Sequence, residues 1–144
     1  MTGDPKMSDT ASNKIPDRKL TFERSCCPIT NGLDTFGDKW TLLIIRDLVL
    51  GKRRYQDLIS SPEKIASNIL ADRLKKLETA GLITRHVYQQ KPVRYEYVLT
   101  EKGQDLKPVL EAISRWGQEH YPGTKVFRAV ESRLNTINAK PWQC

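Results

Sequence analysis

Two adjacent cysteines, Cys26 and Cys27, are the residues of this chain most suited to covalent chemistry. They stand directly before Pro28, a residue favoured at the first position of a helix because its missing N–H would be unpaired there anyway. Since a helix N-terminus stabilises negative charge, we expect the pKa of the Cys27 thiol to lie below its ordinary value. Cys27 is therefore either an oxidisable thiol or a small buried hydrophobic residue without chemistry.

Other kinds of chemical site have no sequence signal. His86 and His120 are isolated from acids and cysteines at metal-ligand spacing, and there is no CxxC, HExxH, GxSxG or glycine-rich phosphate loop. No His or acid lies near Cys27 to serve a thiol enzyme. We therefore expect no metal, no cofactor and no enzymatic activity.

The composition favours a reducing compartment and an anionic partner. Three cysteines make no disulfide framework, and neither a signal peptide nor a membrane-spanning run of apolar residues is present, so the expected location is cytoplasmic, without a membrane partner. The net charge is +7, and residues 51–100 hold ten Lys and Arg against five Asp and Glu. This concentration of positive charge favours a polyanion.

The candidate binding residues lie on one predicted helix, residues 67–81. Leucines recur there at helical spacing and form an apolar stripe, while the other face is polar and basic. We expect Ser67 to cap the helix and Gly81 to end it. The stripe consists of Leu70, Leu74 and Leu77, and the outer face of Asn68, Asp72, Lys75, Lys76 and Thr79.

The neighbouring elements place this helix in a recognisable order. Apolar periodicity predicts helices over 28–36, 39–50 and 55–60, a turn at 61–64, strands at 82–88 and 93–99 joined by a tip at 89–92, and a long helix capped by Thr100 and interrupted at Pro108. Helix-turn-helix followed by a two-stranded ribbon is the winged helix layout. The predicted fold is mainly α with a small β wing. Residues 1–24 are expected to be a disordered tail, 25–121 the folded domain with dimerisation helices, and 122–144 an extension with one more helix.

Six stretches match a known family in the right order: residues 27–29, 37–48, 54–58, 69–78, 81–83 and 94–103. Lys39-Trp40 and Leu99-Thr100-Glu101-Lys102-Gly103 are the most specific. From Cys27 to about Tyr121 the chain resembles the HxlR family of bacterial winged helix-turn-helix transcription regulators. The resemblance implies a DNA-binding regulator that acts as a homodimer on a pseudo-palindromic double-stranded operator. The alternative is a winged-helix protein-interaction module without specific DNA binding, which would not need so basic a face.

The helix at 67–81 would then enter the major groove by its N-terminal half. Asn68 can pair with adenine, and Ala71 can contact a thymine methyl group. Asp72 either accepts from a cytosine amine or, as we favour, pairs with Lys76 one turn on. The expected DNA-binding residues are Ser67, Asn68, Ala71, Asp72, Arg73, Lys75 and Lys76, the wing residues Lys91 and Arg94, and Arg53 and Arg54 before the short helix.

Two further expectations concern Arg73 and the cysteines. Arg73 either contacts phosphate or braces Asp57 or Glu78. Some members of the family sense oxidants or electrophiles through a cysteine at the position of Cys27, and Cys26 beside it is either a resolving thiol for a partner subunit or a bystander. Response to a small ligand of unknown identity is the other possibility. The expected dimer interface consists of Ile29, Leu33, Leu106, Leu110, Ile113 and Trp116.

Overall fold

The computed structural model describes residues 22–126, so most of the expected N-terminal tail and nearly all of the expected last helix lie outside the described residues. The chain divides into two compact units, one ending at Asp34 and the other beginning at Thr35. No helix within residues 22–126 is long and apolar enough to cross a bilayer.

Helix α1 (Pro28–Phe36) begins in the first unit, at the proline that the sequence indicated. The backbone N–H of Cys27 donates to Ser25 Oγ at 2.9 Å, and the side-chain amide of Asn31 donates to the carbonyl oxygens of Ser25 and Cys27 at 2.8 Å. These bonds tie the segment before the helix to its first turns. None of the α1 side chains is buried.

The second unit contains the remaining elements in the predicted order. They are α2 (Thr41–Val49), α3 (Tyr55–Ile59), α4 (Ser67–Thr79), β1 (Ile83–Gln90), β2 (Val93–Leu99), α5 (Glu101–Gln104) and α6 (Lys107–His120). The strands form one antiparallel ribbon, and Arg54 adds a single bridge to Glu96 on its outer side. The core joins α2, α3, α4 and the ribbon through Ile45, Leu58, Leu70 and Ile83. This confirms the predicted winged helix-turn-helix fold.

Two local predictions need correction, the cap of α4 and the end of β1. Ser67 does not cap α4: Ala66 holds the cap position with an extended backbone, its carbonyl accepts the first intrahelical bond from the Leu70 N–H, and Ser67 is already helical. Gly81 ends the helix as predicted, with φ of 78°. Strand β1 ends two residues later than expected, because Gln89 and Gln90 pair with β2 and leave Lys91–Pro92 as the tip, whereas β2 has the expected bounds.

The long C-terminal helix is divided in two, as the position of Pro108 indicated. Thr100 Oγ1 accepts from the Gly103 N–H and caps the short α5. The next helix, α6, restarts at Lys107 and carries Pro108 in its first turn, where a missing N–H costs little.

Gly103 has no room for a side chain. A Cβ built there would collide with the backbone carbonyl oxygen of Leu82 and lie 2.9 Å from Cδ2 of Leu99. Because backbone cannot swing aside as a side-chain tip can, this contact joins α5 closely to the start of the wing.

Gly103→Ala should therefore lower the free energy of unfolding by about 1–3 kcal/mol, the usual cost of forcing extra atoms into a packed site. The matched control is Gly117→Ala on α6, where a new Cβ meets nothing within 4 Å. That control should be neutral or stabilising by about 0.5–1 kcal/mol, since alanine favours the helix. Urea denaturation measures both changes, and equal effects would contradict the steric argument.

Candidate nucleic-acid interface

Helix α4 has one face in the core and one in solvent. Leu70, Leu74 and Leu77 are buried at helical spacing. Of the α4 residues expected to contact DNA, Arg73 is half-buried. The others are exposed on the remaining surface, and they are Ser67, Asn68, Ala71, Asp72, Lys75 and Lys76. The helix therefore presents a continuous polar and basic surface whose orientation is set by three leucines.

Asp72 is engaged within its own helix. Its carboxylate lies 3.3 Å from the Lys76 ammonium one turn later and 2.5 Å from the Arg73 guanidinium. Its pKa is lowered, because these two cations outweigh the opposing effect of desolvation. The structure thus contains the intrahelical pair that we favoured for Asp72.

Arg73 acts as a brace, although to a different acid from those expected. Its Nε donates to Asp38 Oδ2 at 2.9 Å. Glu78, one of the two acids that the sequence offered as a partner for Arg73, instead has its Oε2 3.4 Å from Nε of Arg85 in the wing. The contact joins α4 to the segment that precedes α2.

Asp38 is the acceptor that holds this joint together. Its carboxylate accepts from the backbone N–H groups of Trp40 and Thr41 at 2.9 and 3.1 Å and from the Thr41 hydroxyl, so it closes the start of α2. Desolvation opposes ionisation, yet the hydrogen bonds from Thr41, Arg73 and Trp40 hold the pKa of Asp38 well below its ordinary value. One ionised side chain therefore fixes α2 and α4 together.

A second acid, Asp47, anchors the turn of the helix-turn-helix. Asp47 is only 2 % exposed, near the end of α2. Its carboxylate accepts from the buried Ser61 hydroxyl and from Arg46 Nε, the latter at 3.0 Å, and lies 3.8 Å from the Lys52 ammonium. A buried carboxyl group is costly unless its oxygens have polar partners, and these residues provide them.

The guanidinium of Arg46 extends the same network to Glu63. Two parallel hydrogen bonds of 2.8 and 2.9 Å join them, the bidentate geometry typical of Arg with a carboxylate. The hydrogen bonds from Arg46 lower the pKa of Glu63. Lys64 follows in a left-handed conformation (φ 58°), and its N–H returns to the Ser61 carbonyl oxygen at 2.9 Å. The turn that leads into α4 is thus bound to α2.

The basic connector is part of the wing rather than a free loop. The Tyr97 N–H donates to the Arg53 carbonyl oxygen at 2.7 Å, and the Arg54 guanidinium lies 3.8 Å from the ring centre of Tyr88. The side chains of Arg53 and Arg54 remain exposed.

The wing tip is exposed and carries two cations. Lys91 and Arg94 lie in solvent on either side of Pro92. The side-chain amide of Gln89 donates to the Pro92 carbonyl oxygen at 3.2 Å and to that of Lys91 at 3.4 Å, which braces the tip. Positive charge is therefore presented at a defined hairpin.

Asp38, Asp47, Ser61 and Glu63 were not among the predicted site residues. A partial signal existed for Asp38, since an aspartate just before a helix is a common cap. The sequence pattern did not indicate Asp47, because a single acid in an apolar helix gives the same sequence pattern whether its side chain faces solvent or a buried turn.

The cysteines lie at the start of α1, and both are free thiols. Cys27 is half-buried and Cys26 exposed. Hydrogen bonds from the backbone N–H groups of Thr30 and Ile29 lower the pKa of the Cys27 thiol, as expected for a helix N-terminus. Within residues 22–126 no group of three or more His, Cys, Asp or Glu is placed to hold a metal ion.

Fold and surface together define a winged helix-turn-helix protein in which α4, the second helix of the helix-turn-helix pair, has a basic face in solvent. The model of the HxlR-like helix-turn-helix family matches residues 35–125. The chain belongs to this family, which is one of transcription regulators. It is a DNA-binding regulator of that class.

Three relatives illustrate the similarity. The HTH-type transcriptional regulator YdeP of Bacillus subtilis strain 168 is 37 % identical over 109 residues, covering 72 % of this chain and 85 % of YdeP. The reduced form of the transcriptional regulator YodB from B. subtilis superposes with a TM-score of 0.57 at 30 % identity, covering 70 % of this chain and 100 % of YodB. The oxidised form of the redox regulator HypR superposes with a TM-score of 0.60 at 33 % identity, over 65 % and 97 % of the two chains.

Asp38→Asn tests the joint between α2 and α4. Because the folded-state pKa of Asp38 lies below the unfolded value near 3.9, its contribution to stability is present above about pH 4 and is lost as the pH falls further. The substitution should cost about 1 kcal/mol at pH 7, as for loss of a capping interaction, and progressively less below pH 4.

Urea denaturation between pH 7 and pH 3 measures this difference. Asp105→Asn, an exposed aspartate in the connection between α5 and α6, is the control and should have little effect at pH 7. If the difference in free energy of unfolding between wild type and Asp38→Asn stays constant down to pH 3, the ionised carboxylate does not have this role.

Proposed function

We propose that this regulator binds a pseudo-palindromic operator as a homodimer, with α4 in the major groove and the wing along the DNA backbone. The observation that carries the proposal is the outward face of α4, which is polar and exposed while its leucines and Arg73 fix it to the core. A helix held so firmly can read base edges in one register.

The contacts divide by chemistry. Asn68 and Ala71, both exposed in the first half of α4, are the proposed base-reading residues, because an amide pairs with adenine and a methyl group packs on thymine. Lys75, Lys76 and the wing cations supply phosphate contacts that carry no sequence information. Arg73, already bound to Asp38 and Asp72, positions α4.

Exposed apolar side chains support the homodimer. Ile113 and Trp116 of α6 are 51 % and 56 % exposed, and Ile29 and Leu33 of α1 are 71 % and 51 % exposed. Large apolar side chains exposed in this number are typical of a surface that a partner covers. Because a twofold dimer presents two copies of α4, a pseudo-palindromic operator follows from its symmetry.

Two substitutions in the protein test this assignment, and each variant is assayed on a DNA fragment that the wild type selects from random sequences. Lys91→Ala should weaken binding to all sequences alike, whereas Asn68→Ala should change which sequences are preferred and cost about 1–3 kcal/mol at the selected site. Binding should also weaken steeply with salt, because phosphate contacts release counterions. Affinity titrations on matched and mismatched fragments at two salt concentrations provide the measurement.

If both variants lose DNA affinity equally on all sequences, Asn68 does not contact the bases. If the DNA affinity does not change with salt concentration, the result would instead favour a protein-interaction module over a DNA-binding regulator.

We also propose that oxidation of Cys27 releases the DNA. The half-exposed thiol, its lowered pKa and the similarity to the redox regulator HypR support this role. Oxidants attack the thiolate form, and a lowered pKa increases the fraction of Cys27 in that form. A second thiol, such as Cys26 of another subunit, can then complete a disulfide.

Cys27→Ser should leave DNA affinity unchanged but abolish release by the thiol oxidant diamide. Cys26→Ser is the matched control: it should still bind DNA, and it loses the response only if Cys26 resolves the oxidised thiol. Gel shifts with and without diamide measure both. If Cys27→Ser still releases DNA on oxidation, Cys27 has a structural role.

A further inference from the structure

A groove of about 640 Å³ lies between α2 and α6, on the surface of the second unit. This volume is within the range of sites for small organic ligands. Its apolar lining comes from both helices and from the residues that follow each of them, and it consists of Leu43, Val49, Leu50, Leu110, Ile113 and Val126.

The polar lining of the groove is strongly biased in charge. Arg46, Lys107, Arg115 and Lys125 contribute four cations, against the single acid Glu111. Among the residues that the structure describes, no carboxylate lies within ion-pair distance of Lys107, Arg115 or Lys125. An apolar surface with unneutralised cations is complementary to a ligand that combines an apolar body with negative charge.

The groove shares Leu110 and Ile113 with the expected dimer interface and extends from them towards α2. Lys107, Glu111, Ser114 and Gln118 line it and recur at helical spacing on the side towards α2. Trp116, the most exposed aromatic side chain of α6, is not among the lining residues. A second copy of this basic chain would bring more positive charge to the groove, whereas a small anion would neutralise it.

One lining residue connects the groove to the DNA-binding element. Arg46 borders the groove, and its guanidinium makes the two hydrogen bonds to Glu63 in the turn before α4. An anion in the groove would compete with Glu63 for Arg46, so that occupancy and the tethering of the turn oppose each other.

We propose that this groove binds a small organic anion with an apolar body, and that Arg46 communicates its presence to α4. The first half concerns binding alone. The second half rests on the proposed DNA-binding function, since release of the turn has a consequence only if α4 reads DNA.

Two related dyes test the binding on the full-length chain. Anilinonaphthalene sulfonate is an apolar anion, and N-phenylnaphthylamine has the same rings without the sulfonate. Arg115→Gln should weaken the sulfonate dye about fivefold, near the upper value for a partly exposed ion pair, and leave the neutral dye unchanged. Lys107→Gln provides a second variant at an exposed position. Lys39→Gln, an exposed cation outside the groove, is the control and should alter neither dye.

Fluorescence titration distinguishes the outcomes. A selective loss for the sulfonate dye in Arg115→Gln and Lys107→Gln supports the anion site. Unchanged binding in both variants, or an equal loss in Lys39→Gln, overturns it.

The coupling is tested with DNA. The sulfonate dye should lower the DNA affinity of the wild type, and this response should disappear in Glu63→Gln, in which the tether is already weakened, although the dye still binds. Dye binding without any change in wild-type DNA affinity overturns the coupling. Absence of DNA binding before dye is added would instead count against the proposed function and leave the dye titration to decide the groove.

Discussion

The buried carboxylate of Asp47 is the constraint on which the geometry of the helix-turn-helix depends. A carboxyl group that is 2 % exposed destabilises the fold unless its oxygens have polar partners, and Ser61, Arg46 and Lys52 provide them. Two of these partners lie beyond the end of α2, so the need to pair the Asp47 oxygens fixes where the chain turns. The bidentate pair of Arg46 with Glu63 extends the constraint to the last residues of the turn.

Helix α4 is held before its start and at its centre by different ion pairs. The turn before it is tied to Asp47 and Arg46, and Arg73 in its middle is tied to Asp38. Along the same helix, Leu70, Leu74 and Leu77 are buried in the core. Hydrophobic burial decides which face of α4 points inwards, and the directional ion pairs limit how far the helix can slide or rotate. A helix that reads base edges requires both, because a shift of one residue would present different side chains to the DNA.

Arg46 has two roles that only the folded chain brings together. It neutralises Asp47 and Glu63 in the turn, and it also borders the cationic groove beside α6. Charge networks at the junction of two elements respond to any new charge that approaches them, since their energy depends on every member. This juxtaposition places a groove of ligand size next to the element that positions α4.

The sequence by itself determined the element order, the winged helix-turn-helix fold, the exposed face of α4 and the start of α1. These follow from local rules: leucine periodicity selects the buried face, Pro28 begins a helix, Gly81 ends one, and Pro108 interrupts a third. The cap of α4 was misassigned to Ser67, because the backbone at Ala66 is set by the incoming turn. Only the tertiary structure decided that Arg73 meets Asp38 across 35 residues and that Ser61 reaches Asp47 across 14. Partners so distant in the chain have no common periodicity, and an acid or a serine is chosen as partner by what packing brings near it.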